Sequence, residues 1–260
     1  MALIEYEIRE KIALLILNDP PANTYSYEMM RELDEAILKA RFDSTVHALI
    51  LTGKGDKFFC AGANIRMLTG VTPEFKYYFC LHANETLNRL EQTPKIVIAA
   101  INGHCVGGGL EVAMAADIRI GRKGAGKMGQ PEVNLGVLPG TGGTQRYSRI
   151  LGKSRAIELM ALGNTFDFEE GHKLGLLDHI FESENFIKKV IEYAKQFVPP
   201  QKASKAVGRI KRAVQTGMEL PFQDALALER ELQQELFESE DAAEGLQAYI
   251  DKRNPQFKGR

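Results

Sequence analysis

Two glutamates differ from the other acids of this chain in what surrounds them. Glu111 enters the first turn of an apolar run, Leu110-Glu111-Val112-Ala113-Met114-Ala115-Ala116, directly behind Gly107, Gly108 and Gly109. Glu132 follows a proline in GQPEVNLGVLPG, between apolar residues. Each has an ordinary explanation when taken alone. A first-turn acid complements the helix dipole by about 0.3–1 kcal/mol, and a loop carboxylate is usually solvated. Brought to one pocket, two carboxyl groups in different surroundings can divide acid and base work between them.

The glycines add a second kind of chemistry. Each costs about 1 kcal/mol relative to alanine inside a helix, so this run fits a need for bare backbone. Gly108 at a helix start offers a free N–H backed by the helix dipole. The loop CAGA, with Ala61 and Ala63, presents small residues that let a ligand approach the main chain. Two N–H groups from separate loops, aimed at one carbonyl oxygen, form an oxyanion hole. One such donor commonly contributes about 2.7–4 kcal/mol to lowering a barrier.

Other chemistries lack their signatures. GRKGAGKM (121–128) nearly spells a phosphate loop, but Met128 replaces the Mg²⁺-binding hydroxyl and Pro131 interrupts the helix that should follow. No GxGxxG, GxSxG or HExxH occurs. The five histidines are scattered, and so are Cys60, Cys80 and Cys105, which read as reduced intracellular thiols. No metal site is expected.

These residues need a scaffold. Residues 3–8 and 11–17 read as a hairpin around Arg9-Glu10, and Ser26 caps a helix from Tyr27 to Ala40. Short buried strands are expected at 47–53 and 95–103. Between them come a loop, GDKFFCAGANIRML, and a helix from Pro73 to Glu91. A strand at 117–120, a glycine-rich loop, helices near 142–151, 153–162 and 168–174, and a strand at 177–181 follow. Alternating strands and helices predict an α/β core. Beyond Glu184 three long helical patterns run to the end, broken near Pro199-Pro200, Pro221 and Ser239. The expected division is a core over 1–198 and a helical segment over 199–260.

With 260 residues, 44% of them hydrophobic, the chain can bury a sizeable core. A formal net charge of −1 provides no global attraction for nucleic acid or anionic membrane. The N-terminus carries acids and no basic region, unlike a signal or transit peptide, and no apolar run is long enough to span a bilayer. A cytoplasmic protein is the expectation.

FFCAGANIRML, INGHCVGGGLEVAMAADIRI and GQPEVNLGVLPGTGGTQR, in this order, closely resemble the enoyl-CoA hydratase/isomerase (crotonase) family, and the likeness extends over nearly the whole chain. The resemblance implies a spiral of ββα units followed by a C-terminal helical trimerisation segment, with trimers or dimers of trimers. It implies an acyl-CoA thioester substrate whose oxygen meets the N–H groups of Ala63 and Gly108. Ala61, Ala63, Asn64, Ile65, Arg66 and Gly108 would border the substrate, with Lys252 a candidate for the CoA phosphates. Asn64 stands where the family commonly has Asp.

Hydratases of the family carry two glutamates, matching Glu111 and Glu132, whereas its isomerases usually lose the first. The favoured reading is an enoyl-CoA hydratase of the fatty-acid β-oxidation kind, with Glu111 the ionised base and Glu132 the protonated acid, and with no cofactor beyond the CoA of the substrate. The helix N-terminus should keep Glu111 ionised, and the apolar neighbours Val133, Leu135, Val137 and Leu138 should keep Glu132 protonated. Met67, Leu68, Phe75 and Leu138 are candidates for shaping acyl preference.

The alternatives are a Δ3-Δ2 enoyl-CoA isomerase and a non-catalytic CoA- or RNA-binding protein on the same fold. Lys195, Lys202, Lys205, Arg209, Lys211 and Arg212 form an acid-free basic run, in which Lys202, Lys205, Arg209 and Arg212 repeat at helical spacing opposite Val207, Ile210 and Val214. A solvated helix face is favoured over an RNA-binding stripe, given the near-neutral chain.

Overall fold

The computed structural model describes residues 2–260, so Met1, the first residue of the expected core unit, lies outside the described residues. β1 (Ile4–Arg9) and β2 (Ile12–Leu17) form the expected hairpin, turning at Glu10 and Lys11. Both turn residues have positive φ. α1 (Tyr27–Phe42) begins where Ser26 accepts the Met29 N–H at 3.3 Å.

Three ββα turns come next. The first is β3 (Ala48–Gly53), β4 (Phe58–Cys60), a short α2 (Ile65–Thr69) and α3 (Pro73–Glu91). The second is β5 (Ile96–Ile101), β6 (His104–Val106) and α4 (Gly108–Met114). The third is β7 (Ile118–Arg122), β8 (Lys127–Gly129), a 3-10 turn over Glu132–Leu135, and α5 (Gly143–Leu151). In each turn the first strand joins a six-stranded sheet and the second a four-stranded one.

α6 (Lys153–Leu162), β9 (Thr165–Asp167), α7 (Phe168–Lys173) and β10 (His179–Phe181) close the core. The strand orders are β1-β2-β3-β5-β7-β10 and β4-β6-β8-β9. Within each sheet the strands of successive turns pair in parallel, β3 to β5 to β7 and β4 to β6 to β8, which gives the chain its spiral.

The second sheet corrects the sequence reading. Residues expected as loops form β4, and the run that nearly spells a phosphate loop is the end of β7, a turn and β8. The strand expected over 95–103 stops at Ile101 and re-forms as β6. Strands of three residues are too short for a period-two pattern to emerge. Asn102 makes the corner between β5 and β6, donating to Gly53 O at 2.8 Å and Gly55 O at 2.7 Å. Its Oδ1 accepts the Gly53 N–H at 3.1 Å.

The six-stranded sheet is apolar on both faces, as β3 (ALILTG) and β5 (IVIAAI) require. One face packs on Leu33 and Ile37 of α1, Leu87 of α3 and Leu110 of α4. The other is covered by Phe186, Val190 and Ile191 of α8 (Phe186–Ala194).

Beyond Pro199-Pro200 come α9 (Ser204–Gly217), α10 (Phe222–Phe237) and α11 (Glu240–Ile250), so four helices follow Glu184 where three patterns were expected. α9 docks through Lys211, whose ammonium lies 2.8 Å from Asp117 and donates to Lys95 O at 3.1 Å. The basic run is therefore not one solvated face. Lys211 is buried with Asp117, Arg209 pairs with Glu235 and Lys195 with Glu10, while Ile210 and Val214 are exposed.

Candidate active site

The three glycines are set by close packing. Gly107 has φ +55°. A side-chain carbon on Gly108 would lie 2.1 Å from the Tyr25 hydroxyl, and one on Gly109 would lie 2.0 Å from Cys60 O. α4 therefore starts at Gly108, two residues before the apolar run expected to be the helix, with its first turn wedged between Tyr25 and β4. This wedge brings the CAGA loop to the helix start, since a carbon added to Gly62 would sit 2.9 Å from Gly108 N. Among the described residues, neither the Ala63 nor the Gly108 N–H donates to a backbone carbonyl. Tyr25 instead bonds to either side of Ala63, donating to Gly62 O at 3.0 Å and accepting the Asn64 N–H at 2.9 Å.

Ala63 and Gly108 both line a cavity of about 650 Å³ between α4, α2, the start of α3 and the 131–141 segment. Ala61, Ala63, Ile65, Gly108, Glu111 and Glu132 line it together. Asn64 turns away to cap α2, accepting the Met67 N–H at 3.1 Å. Arg66 and Lys252 are exposed and are not among the lining residues. Of the expected acyl-shaping residues, Leu68 and Leu138 line the cavity. Phe75 does not; its ring stacks on Phe79 at 6.4 Å, and Met67 packs partly buried against the core.

Glu111 is almost fully buried, at 2% exposure. Its Oε1 accepts the Thr141 N–H at 2.8 Å and the Gly143 N–H at 2.6 Å. The Thr141 hydroxyl donates to Oε2 and in turn lies 3.1 Å from the Tyr25 hydroxyl. Burial raises the pKa of Glu111 and outweighs the three hydrogen bonds, which oppose it. This differs from the expected mechanism. The donors that favour the ionised form come from the loop before α5 and the first residue of that helix, not from Glu111's own helix. Thr141 and Gly143 escaped the sequence reading although GTGGTQR, a second glycine run opening a helix, carries the same signal as the first.

Glu132 stands across the cavity on the 3-10 turn. Its Oε1 would be 2.9 Å from a side-chain carbon on Gly107. Its buried Oε2 has no hydrogen-bond partner. Burial pushes this carboxyl up to about 7, with the charge of Glu111 adding to the effect. The two acids thus sit in unlike settings, one saturated with donors and the other without a partner on one oxygen.

The model of the enoyl-CoA hydratase/isomerase family matches residues 7–260. The chain belongs to the enoyl-CoA hydratase/isomerase family. A short-chain-enoyl-CoA hydratase of Clostridium acetobutylicum is 38% identical, over 96% of this chain and 95% of that protein. A crotonyl-CoA hydratase of Syntrophomonas wolfei is 34% identical, over 96% of both. The solved enoyl-CoA hydratase of Geobacillus kaustophilus superposes with a TM-score of 0.97 at 41% identity, over 100% of this chain and 98% of that one. The fold of this family member is the crotonase spiral, as its motifs imply. No described helix is long and apolar enough to cross a membrane.

Proposed function

We propose that this chain is an enoyl-CoA hydratase, a lyase adding water across the 2,3 double bond of a 2-enoyl-CoA thioester to give a 3-hydroxyacyl-CoA. The observation that carries the reading is the convergence of Glu111, Glu132 and the N–H groups of Ala63 and Gly108 on one cavity. The names of the relatives, short-chain-enoyl-CoA and crotonyl-CoA hydratase, support the same reaction.

In this reading the thioester oxygen accepts hydrogen bonds from Ala63 and Gly108, which draw electron density from the double bond and make the β-carbon electrophilic. A water between the two carboxyl groups attacks that carbon. Glu111, whose three donors match a carboxylate, takes the proton of the water, and Glu132 delivers its own to the α-carbon. Turnover restores the starting state when Glu111 releases that proton and Glu132 regains one from solvent. Water addition changes no redox state, so the reaction requires no electron carrier.

Association with further copies is part of the proposal, with the helical segment over 199–260 as its means. It is supported by Met218, Phe222, Phe237, Tyr249 and Ile250, all exposed on or beside α9, α10 and α11. Arg66 and Lys252 enter as outer contacts for CoA phosphates. A cytoplasmic, β-oxidation setting completes the reading.

Hydration of crotonyl-CoA, followed by loss of enoyl absorbance, tests the core of it. Glu111→Gln and Glu132→Gln should each lower kcat by about 100-fold or more. Wild-type turnover in either variant removes that residue's role. Migration of a 3-enoyl double bond without hydration would favour the isomerase instead.

A further inference from the structure

Lys76 has no part in the chemistry above, yet among the described residues lining the cavity it is the only cation. It lies on the inward stripe of α3 with Phe79, Ala83, Leu87 and Leu90, all buried. The residue is half-buried, and its ammonium sits 5.4 Å from the centroid of the buried Phe79 ring and 3.9 Å from where a side chain on Gly140 would begin. Gly140 adjoins Thr141, so this charge lies close to the cradle of Glu111.

Lys76 bonds to neither acid. The oxygens of Glu111 are taken by Thr141 and Gly143, and Glu132 Oε2 has no partner. Among the described residues it makes no ion pair at all, in contrast to Lys211, which is matched to Asp117. The same cavity is walled by Leu68, Val71, Pro73, Leu135, Val137 and Leu138, and Glu111 and Glu132 are the acids among its described lining residues. An ammonium facing such a wall gains most from a ligand that supplies the missing anion, because a charge-assisted hydrogen bond out of bulk water is the strong kind.

We propose that Lys76 recognises a carboxylate carried on a short acyl chain, so that the substrate class is 2-enoyl-CoA thioesters of short dicarboxylic acids. The inference rests on the reading that the acyl group occupies this cavity. A terminal carboxylate can pair with the ammonium while its methylenes lie along the apolar wall, a contact that a simple hydrocarbon chain lacks.

The test is calorimetric binding of two saturated thioesters, glutaryl-CoA and hexanoyl-CoA, to the full chain. The wild type should bind glutaryl-CoA at least tenfold more tightly. Lys76→Met should reverse the order, and Lys76→Arg should keep it. Equal affinities in the wild type, or a ratio unmoved by Lys76→Met, would overturn the proposal and leave Lys76 as a counter-charge to the acids. Saturated thioesters cannot be hydrated, so a failure here registers in the binding ratio. A failure of the hydratase reading registers separately, in crotonyl-CoA turnover.

Discussion

Thr141 holds Glu111 from two sides: its main-chain N–H donates to one carboxylate oxygen at 2.8 Å and its hydroxyl donates to the other. This clamp sets the orientation of Glu111 within the cavity. Thr141→Val keeps the N–H and removes the hydroxyl. A hydrogen bond to a charged group contributes about 1.5–3 kcal/mol, so kcat for crotonyl-CoA should fall at least tenfold. The hydroxyl also lowers the pKa of Glu111. Its loss should therefore move the acidic limb of the kcat/KM profile to higher pH, and an unmoved limb would assign Thr141 a purely packing role.

Glu132 predicts a pH dependence of both rate and stability. Its carboxyl is raised to about 7 by burial, so the protonated acid that the mechanism uses disappears as pH rises through that value, and kcat/KM should decline there. Folding favours the protonated form. The stability this contributes is complete below the ordinary glutamate pKa of 4.5 and is lost as pH rises through about 7. Glu132→Gln cannot ionise. Urea midpoints measured at pH 5 and pH 8 should show the variant gaining on the wild type at the higher pH, and parallel midpoints would contradict the shifted pKa.

Gly109 is the tightest point of the α4 wedge. Alanine there meets Cys60 O at 2.0 Å, a main-chain atom of β4 that cannot rotate aside. Overpacking of this kind typically costs about 1–3 kcal/mol. Gly109→Ala should lower the denaturation midpoint accordingly and should also weaken acyl-CoA binding, since the helix start is displaced from the CAGA loop. Wild-type stability in this variant would mean the wedge yields more easily than its geometry indicates.

The docking of α9 depends on a buried charge pair. Lys211→Met strips Asp117 of its cation and leaves a carboxylate that also accepts the Val97 N–H at 2.8 Å. Removing one partner of a buried pair usually costs about 3–5 kcal/mol. Protease sensitivity near Pro199-Pro200 should rise in the same variant. Asp117→Asn with Lys211→Met, which leaves no charge behind, should recover part of the loss.

The sequence by itself determined the family, the α/β class, the long helices with the cap at Ser26, and the presence of two unusual glutamates. These are legible because helical spacing, capping residues and glycine runs are local signals, carried over neighbouring positions. Only the tertiary structure decided the rest. Strands β4, β6, β8 and β9 have three residues each and exist because neighbouring turns of the spiral offer them hydrogen bonds. The basic run on α9 read as a surface, yet the fold places Lys211 beneath it against Asp117, a partner far away in sequence. The fold also supplies Glu111 with donors from Thr141 and Gly143, gives Glu132 an oxygen with no partner, and places Lys76 on the wall of the same cavity. A carboxyl group's protonation depends on the donors and solvent around it, and those come from segments that meet only when the chain closes on itself.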